Sequence, residues 1–108
     1  MPTIYKVLGQ VEPLALTNTT LYTVPSSTSA VCSTLTVCNT GVSTTFRIAI
    51  RPAGATLSDI HYIVFDNSIN ANDTIFLTLG ITLATTDVVT VYAGTASVVF
   101  NLFGSEIS

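Results

Sequence analysis

The sequence predicts an all-β domain: an antiparallel β-sandwich of about eight strands, jelly-roll or immunoglobulin-like. Three observations carry that prediction. Only nine of the 108 residues are charged (8%), against about a quarter in an average globular protein. Nineteen Thr and ten Ser stand beside 48% hydrophobic residues, and β-branched residues fit a pleated, half-buried surface. Period-two alternation recurs at short intervals with turn residues between, the rhythm of a two-sheet sandwich. A soluble helical fold is excluded by the same composition, because a solvent-facing helix side needs Glu, Lys, Arg and Gln.

The first strand runs from Ile4 to Val11 and stops at Pro13. A short one, Thr20 to Val24, is closed by Pro25. Val31 to Asn39 follows, with Val31, Leu35 and Val37 assigned to one face and Cys32, Thr34, Thr36 and Cys38 to the other. In Thr44 to Arg51 the alternation is cleanest. Phe46, Ile48 and Ile50 point inward, while Thr45, Arg47, Ala49 and Arg51 point outward. Asn39-Thr40-Gly41 between these two strands reads as a tight hairpin. Ile60–Phe65 is apolar on both sides, which predicts a strand covered on both faces. The Asn- and Asp-rich run Asp66 to Asp73 reads as the next turn. Thr74–Leu79, Val88–Ala93 and Ser97–Phe103 complete the set, with Ala93-Gly94-Thr95 as the last hairpin turn. Phe46, Ile48, Ile50, Val89, Val91, Val98, Phe100 and Leu102 are the expected core.

Length and charge bound the rest. Residues 1–108 make a single domain with one core. High hydrophobicity with low charge is the reverse of the disorder signature. Lys6, Arg47 and Arg51 are the only cations and the net charge is −3, so a nucleic-acid partner is not expected. No membrane partner is expected either, since no apolar run reaches the roughly eighteen residues of a spanning helix. The first residues lack the pattern of a secretory signal. Cys32 and Cys38 lie six residues apart in one strand, about 20 Å, whereas a disulfide needs Cα atoms within about 7 Å. Both are expected to be reduced thiols.

The chemistry of catalysis is poorly represented. His61 is the only histidine and sits among core-like neighbours, as a half-buried structural histidine would. A Cys–His pair with Cys32 or Cys38 has no local sequence to set it up. Asp66, Asp73 and the intervening Asn residues carry oxygens that could meet calcium, but their spacing is not that of an EF-hand loop. Two Cys and one His are too few for a zinc site. The expectation is a non-enzymatic protein with no catalytic, cofactor-binding or metal residues and no cofactor.

The motifs, in order, are IYKVLGQVEP, TLYTVP, STLTVCNTGVSTTFRIAIRP, HYIVFD with a downstream NDT, and LATTDVVTVYAGTASVVFNLFGSE. From Tyr5 to Glu106 the chain resembles small virion structural proteins of tailed bacteriophages. The resemblance implies a β-sandwich component of the particle, made in the host cytoplasm and located in the virion. It points first to a capsid decoration or cement protein and leaves open a neck, tail or fibre-associated subunit; the hypothesis from another class is a lectin-like module that binds host glycan. Tyr5, Tyr22, Tyr62 and Tyr92, scattered over four strands, argue against the lectin.

Strand faces bearing Thr, Ser, Asn and Ala desolvate cheaply, and few charges guard the edges. The strand faces predict association with copies of the chain itself or with another subunit; the phage resemblance implies a trimer and, as further partners, the major capsid protein or neck or tail proteins. Arg47 and Arg51, on one outward face, are the candidate interface residues, their planar guanidinium groups suited to a neighbour's carboxylates.

Overall fold

The computed structural model describes residues 2–108, the Leu79 side chain excepted. It is all-β. Eight strands follow one another: β1 (Thr3–Val11), β2 (Thr19–Thr23), β3 (Ser29–Asn39), β4 (Thr44–Arg51), β5 (Tyr62–Ile69), β6 (Thr74–Leu83), β7 (Val88–Ala93) and β8 (Val98–Ile107). Two short 3-10 turns, Pro52–Gly54 and Asp59–His61, lie between β4 and β5.

The strands form two four-stranded antiparallel sheets, ordered β1-β8-β3-β6 and β2-β7-β4-β5. Successive strands alternate between the sheets everywhere except β4 to β5. This order is that of the jelly roll, not of the immunoglobulin fold. The alternation corrects two turns expected from sequence. Residues 39–41 and 93–95 join strands of opposite sheets, so neither makes a hairpin, and none of these residues has a positive φ.

The core lies between the sheets. Phe46, Ile48, Val89, Val91, Val98, Phe100 and Leu102 are buried, and Ile50 packs partly buried against them. The Phe46 and Phe100 rings meet edge-on at 6.1 Å across the two sheets. Each such ring removes on the order of 150–250 Å² from water. Gly104 of β8 marks a close approach: a Cβ there would run into the Val31 carbonyl of β3.

Bulges, which periodicity does not reveal, reorient several side chains. The β3 register shifts between Cys32 and Thr34 against both neighbours. Cys32 consequently turns into the core while Val31 faces out, the opposite of the alternation read from sequence. The stretch that reads as covered on both sides is an edge strand instead. β5 pairs only with β4, leaving Ile63 and Phe65 exposed, and it continues through Asp66 to Ile69.

Candidate interaction surfaces

The outer face of the β2-β7-β4-β5 sheet carries Arg47 and Arg51. Opposite Arg47 the β5 register slips: Phe46 stands against Asn67 and Ile48 against Val64. Two residues, Phe65 and Asp66, therefore oppose the one arginine, with Asp66 at φ 51°. Such a bulge aims both side chains at the same neighbour. Arg47 Nε donates to Asp66 Oδ1 at 2.6 Å, and Nη2 donates to Oδ2 at 3.3 Å. Its guanidinium carbon lies 4.3 Å from the ring centroids of both Phe65 and Tyr92. The hydrogen bond to Asp66 raises the arginine's pKa above its ordinary value. Tyr62 meets Phe65 edge-on at 4.9 Å, and with Asp59 these rings border a shallow cleft of about 350 Å³.

Arg51 serves the loop that follows it. Its Nε and Nη2 donate to the carbonyls of Ala55 and Gly54, at 2.7 and 3.1 Å, and Nη1 reaches Thr90 Oγ1. Asp87 holds the same loop, accepting from the Ala53 amide at 2.9 Å. Ala49 and Thr90, outward by alternation, are buried beneath this cover. The two arginines thus share a face, as expected, and the partners each meets here lie within the chain.

The outer face of the β1-β8-β3-β6 sheet is different in kind. Its cross-strand rows run Tyr5–Ser105–Val31–Thr82, Val7–Phe103–Thr34–Thr78 and Gln10–Asn101–Thr36–Phe76. Val99, Cys38 and Thr74 close the end. Its outward cross-strand rows hold no charged side chain among the described residues, although Lys6 borders the face at one end. Lys6 and Glu106 stand in register with Cys32 and Ala30 on the inner side. There Glu106 accepts from Lys6 Nζ at 3.4 Å and from the Tyr22 hydroxyl at 2.6 Å. Phe76 and Tyr5 are 71% and 85% exposed. Between Tyr5, Lys6, Val7, Val31 and Phe103 lies an open trough of about 580 Å³, with Gly104 in its lining. The sequence offered one signal for this face, the uncharged alternate positions along β1, β3, β6 and β8. Those strands had to be known as neighbours before it could be read.

The residues examined for chemistry stay apart. Cys32 is free and buried, its thiol pushed up to about 11 by burial, so it is a poor nucleophile at neutral pH. Cys38 is also free and stands on the outer side of the first sheet. His61 lies in the 3-10 turn beside the second, its Nδ1 accepting from the Ser58 amide at 3.1 Å. The sandwich separates the two. Among the described residues no group of three or more His, Cys, Asp or Glu gathers as metal ligands would. Asp73 instead caps its own turn through the Thr74 amide.

Of the four tyrosines, Tyr62 and Tyr92 converge on Arg47, which the sequence did not indicate. Comparison with protein-family models, with curated proteins and with solved structures gives no match.

Proposed function

We propose that the chain is a non-enzymatic structural protein of a tailed-phage virion: a capsid decoration or cement protein that self-associates and docks on the particle. The observation that carries this reading is the uncharged four-stranded face with Tyr5 and Phe76 projecting from it. Exposed apolar patches of this kind mark protein contacts. A jelly roll is compatible with a capsid role, but it also serves lectins and cupins, so the fold does not choose among them. The phage assignment rests on the sequence motifs. Quantitative mass spectrometry of purified particles tests it. High copy number means the capsid surface, low copy number the neck or tail, and absence from the particle refutes the proposal. Purified chain should also rebind particles that lack it.

A second reading, a lectin-like module for host glycan, gains one observation. Tyr62, Phe65 and Asp59 line one cleft, offering aromatic faces and a carboxylate acceptor together. A glycan array settles between the readings: binding that Phe65→Ala abolishes would favour the lectin.

A further inference from the structure

We infer that two copies of this chain pair face to face through the outer face of the β1-β8-β3-β6 sheet. The Phe76 ring of each enters the Tyr5–Val31–Phe103 trough of the other. The inference rests on the reading of the chain as a self-associating subunit and specifies which surface, which symmetry and which contacts.

Symmetry follows from the number of patches. A cyclic trimer needs two different complementary patches on each subunit, whereas a two-fold pair uses one patch twice. The outer face of the second sheet carries Arg47, Arg51 and Asp66, with Asp59 bordering its cleft. The outward rows of the first carry no charge, and Lys6, the cation bordering its trough, is paired within the chain to Glu106. One uncharged patch points to the two-fold pair. The chain's net charge of −3 works the same way, since two acidic subunits meet at least cost where neither presents a carboxylate.

Shape agrees. Phe76 stands on β6 in the Gln10–Asn101–Thr36 row, and the trough lies two strands away in the next two rows. The separation is about 15 Å, from a strand spacing of about 4.8 Å and a rise of about 3.3 Å per residue. A two-fold axis lying in the face near Thr34 and Thr36 exchanges the two features, so each ring fills the partner's trough. Four strands of about nine residues give a face on the order of 600 Å² per copy. The pair would then bury about 1,200 Å², the lower bound for a stable specific interface.

Sedimentation of the full chain should give twice 11.4 kDa. Phe76→Glu and Tyr5→Glu should each weaken the pair at least tenfold. These side chains are exposed, so circular dichroism of both variants should stay native. Thr36→Lys, which brings like charges together beside the axis, should do the same. Ile60→Glu, on the opposite side at 89% exposure, should change nothing. A pair broken by Phe76→Glu but not by Tyr5→Glu would be joined along the β6 edge, and that result overturns the face-to-face arrangement. A trimer overturns the two-fold but leaves self-association standing. A monomer at every concentration overturns both, and only rebinding to particles would then support the proposed function.

Discussion

Replacing Asn39 with alanine should destabilise the fold by about 3–5 kcal/mol, because this side chain ties the β3–β4 connection and the residue before β8 to the end of β5, which lies in the other sheet. It is 1% exposed at the end of β3. Its Nδ2 donates to Val42 O at 2.7 Å and to Asn70 O at 3.2 Å, with a longer contact to Ile69 O. Its Oδ1 accepts from the Gly41 amide at 3.1 Å and from Ser97 Oγ at 2.9 Å. Alanine strands two carbonyls and one amide, at about 1–3 kcal/mol each when shielded from water. The Ser97 hydroxyl is not counted, since Thr95 Oγ1 lies 2.9 Å away as an alternative partner. The isosteric Asn39→Asp sharpens the argument. It keeps the acceptor but sets carboxylate oxygen against two carbonyls, so at pH 7 it should cost more than alanine and recover partly on acidification. Guanidinium unfolding followed by circular dichroism measures both, and the alanine variant should melt about 12–25 °C lower. A loss below about 1 kcal/mol for alanine, or an aspartate variant as stable as the parent, would refute the reasoning.

Phe100→Ala and Phe46→Ala should each cost about 3–5 kcal/mol in the same assay; because the rings touch, the double variant should lose less than the sum. Tyr22 is pushed well above the ordinary phenol range, first by burial and then by its hydrogen bond to Glu106. The fold therefore favours the neutral phenol, so that stabilisation is complete below about pH 10 and is lost as pH rises above it. Melting temperature against pH should fall on that alkaline limb, and Tyr22→Phe should flatten the limb while costing about 1–2 kcal/mol at neutral pH; an unchanged limb would count against the linkage. Maleimide should label Cys38 of the folded subunit when it is dissociated and reach Cys32 only on unfolding, and Cys38→Ser should shift the subunit's stability by less than about 0.5 kcal/mol. A Cys32–Cys38 bond in non-reducing mass spectrometry would contradict the β3 geometry.

The strands were legible and their neighbours were not. Alternation in β4, β7 and β8 placed Phe46, Val91 and Phe100 inward because both faces of those strands keep a regular pleat. Asn39-Thr40-Gly41 misled because hairpin chemistry is local, whereas the choice between a hairpin and a crossing to the other sheet depends on the whole core. Asn39 makes an Asx turn with Gly41, not a hairpin, and its side chain also reaches the end of β5 where the chain changes sheets. Period-two reading failed also at Ser33 and Asp66, since one extra residue exchanges the faces of everything beyond it. The Arg47–Asp66–Phe65–Tyr92 cluster arises from the second of these slips. Its members come from three strands whose adjacency nothing local encodes.

The scarcity of charge acquires a structural meaning once the partners of each charge are known. Lys6 and Glu106 hold β1 to β8, and Glu106 reaches Tyr22 of the opposite sheet. Arg47 and Asp66 close the slip in β5. Arg51 and Asp87 fasten the loop after β4, Asp87 also accepting from the Ala84 amide of its own turn. Asp73 starts β6. Seven of the nine charges are thus tied to a junction or turn where backbone pairing is interrupted. A monomer surrounded by water would gain from further charges on its broad sheet faces, for solubility and to blunt strand edges. Here those positions hold mainly Thr, Ser, Val and aromatic rings, and among the described residues the outward rows of the β1-β8-β3-β6 side add only uncharged residues such as Gln10, Asn101, Cys38 and Ile107. If this distribution reflects a covered face, adding charge should have opposite consequences at different places. Lysine at Thr36 should abolish association without lowering the melting temperature of the subunit. Charge reversal at Asp66 should lower that temperature by removing the partner of Arg47, and should leave association intact. Equal effects of both substitutions on association would show that the two faces are not functionally distinct.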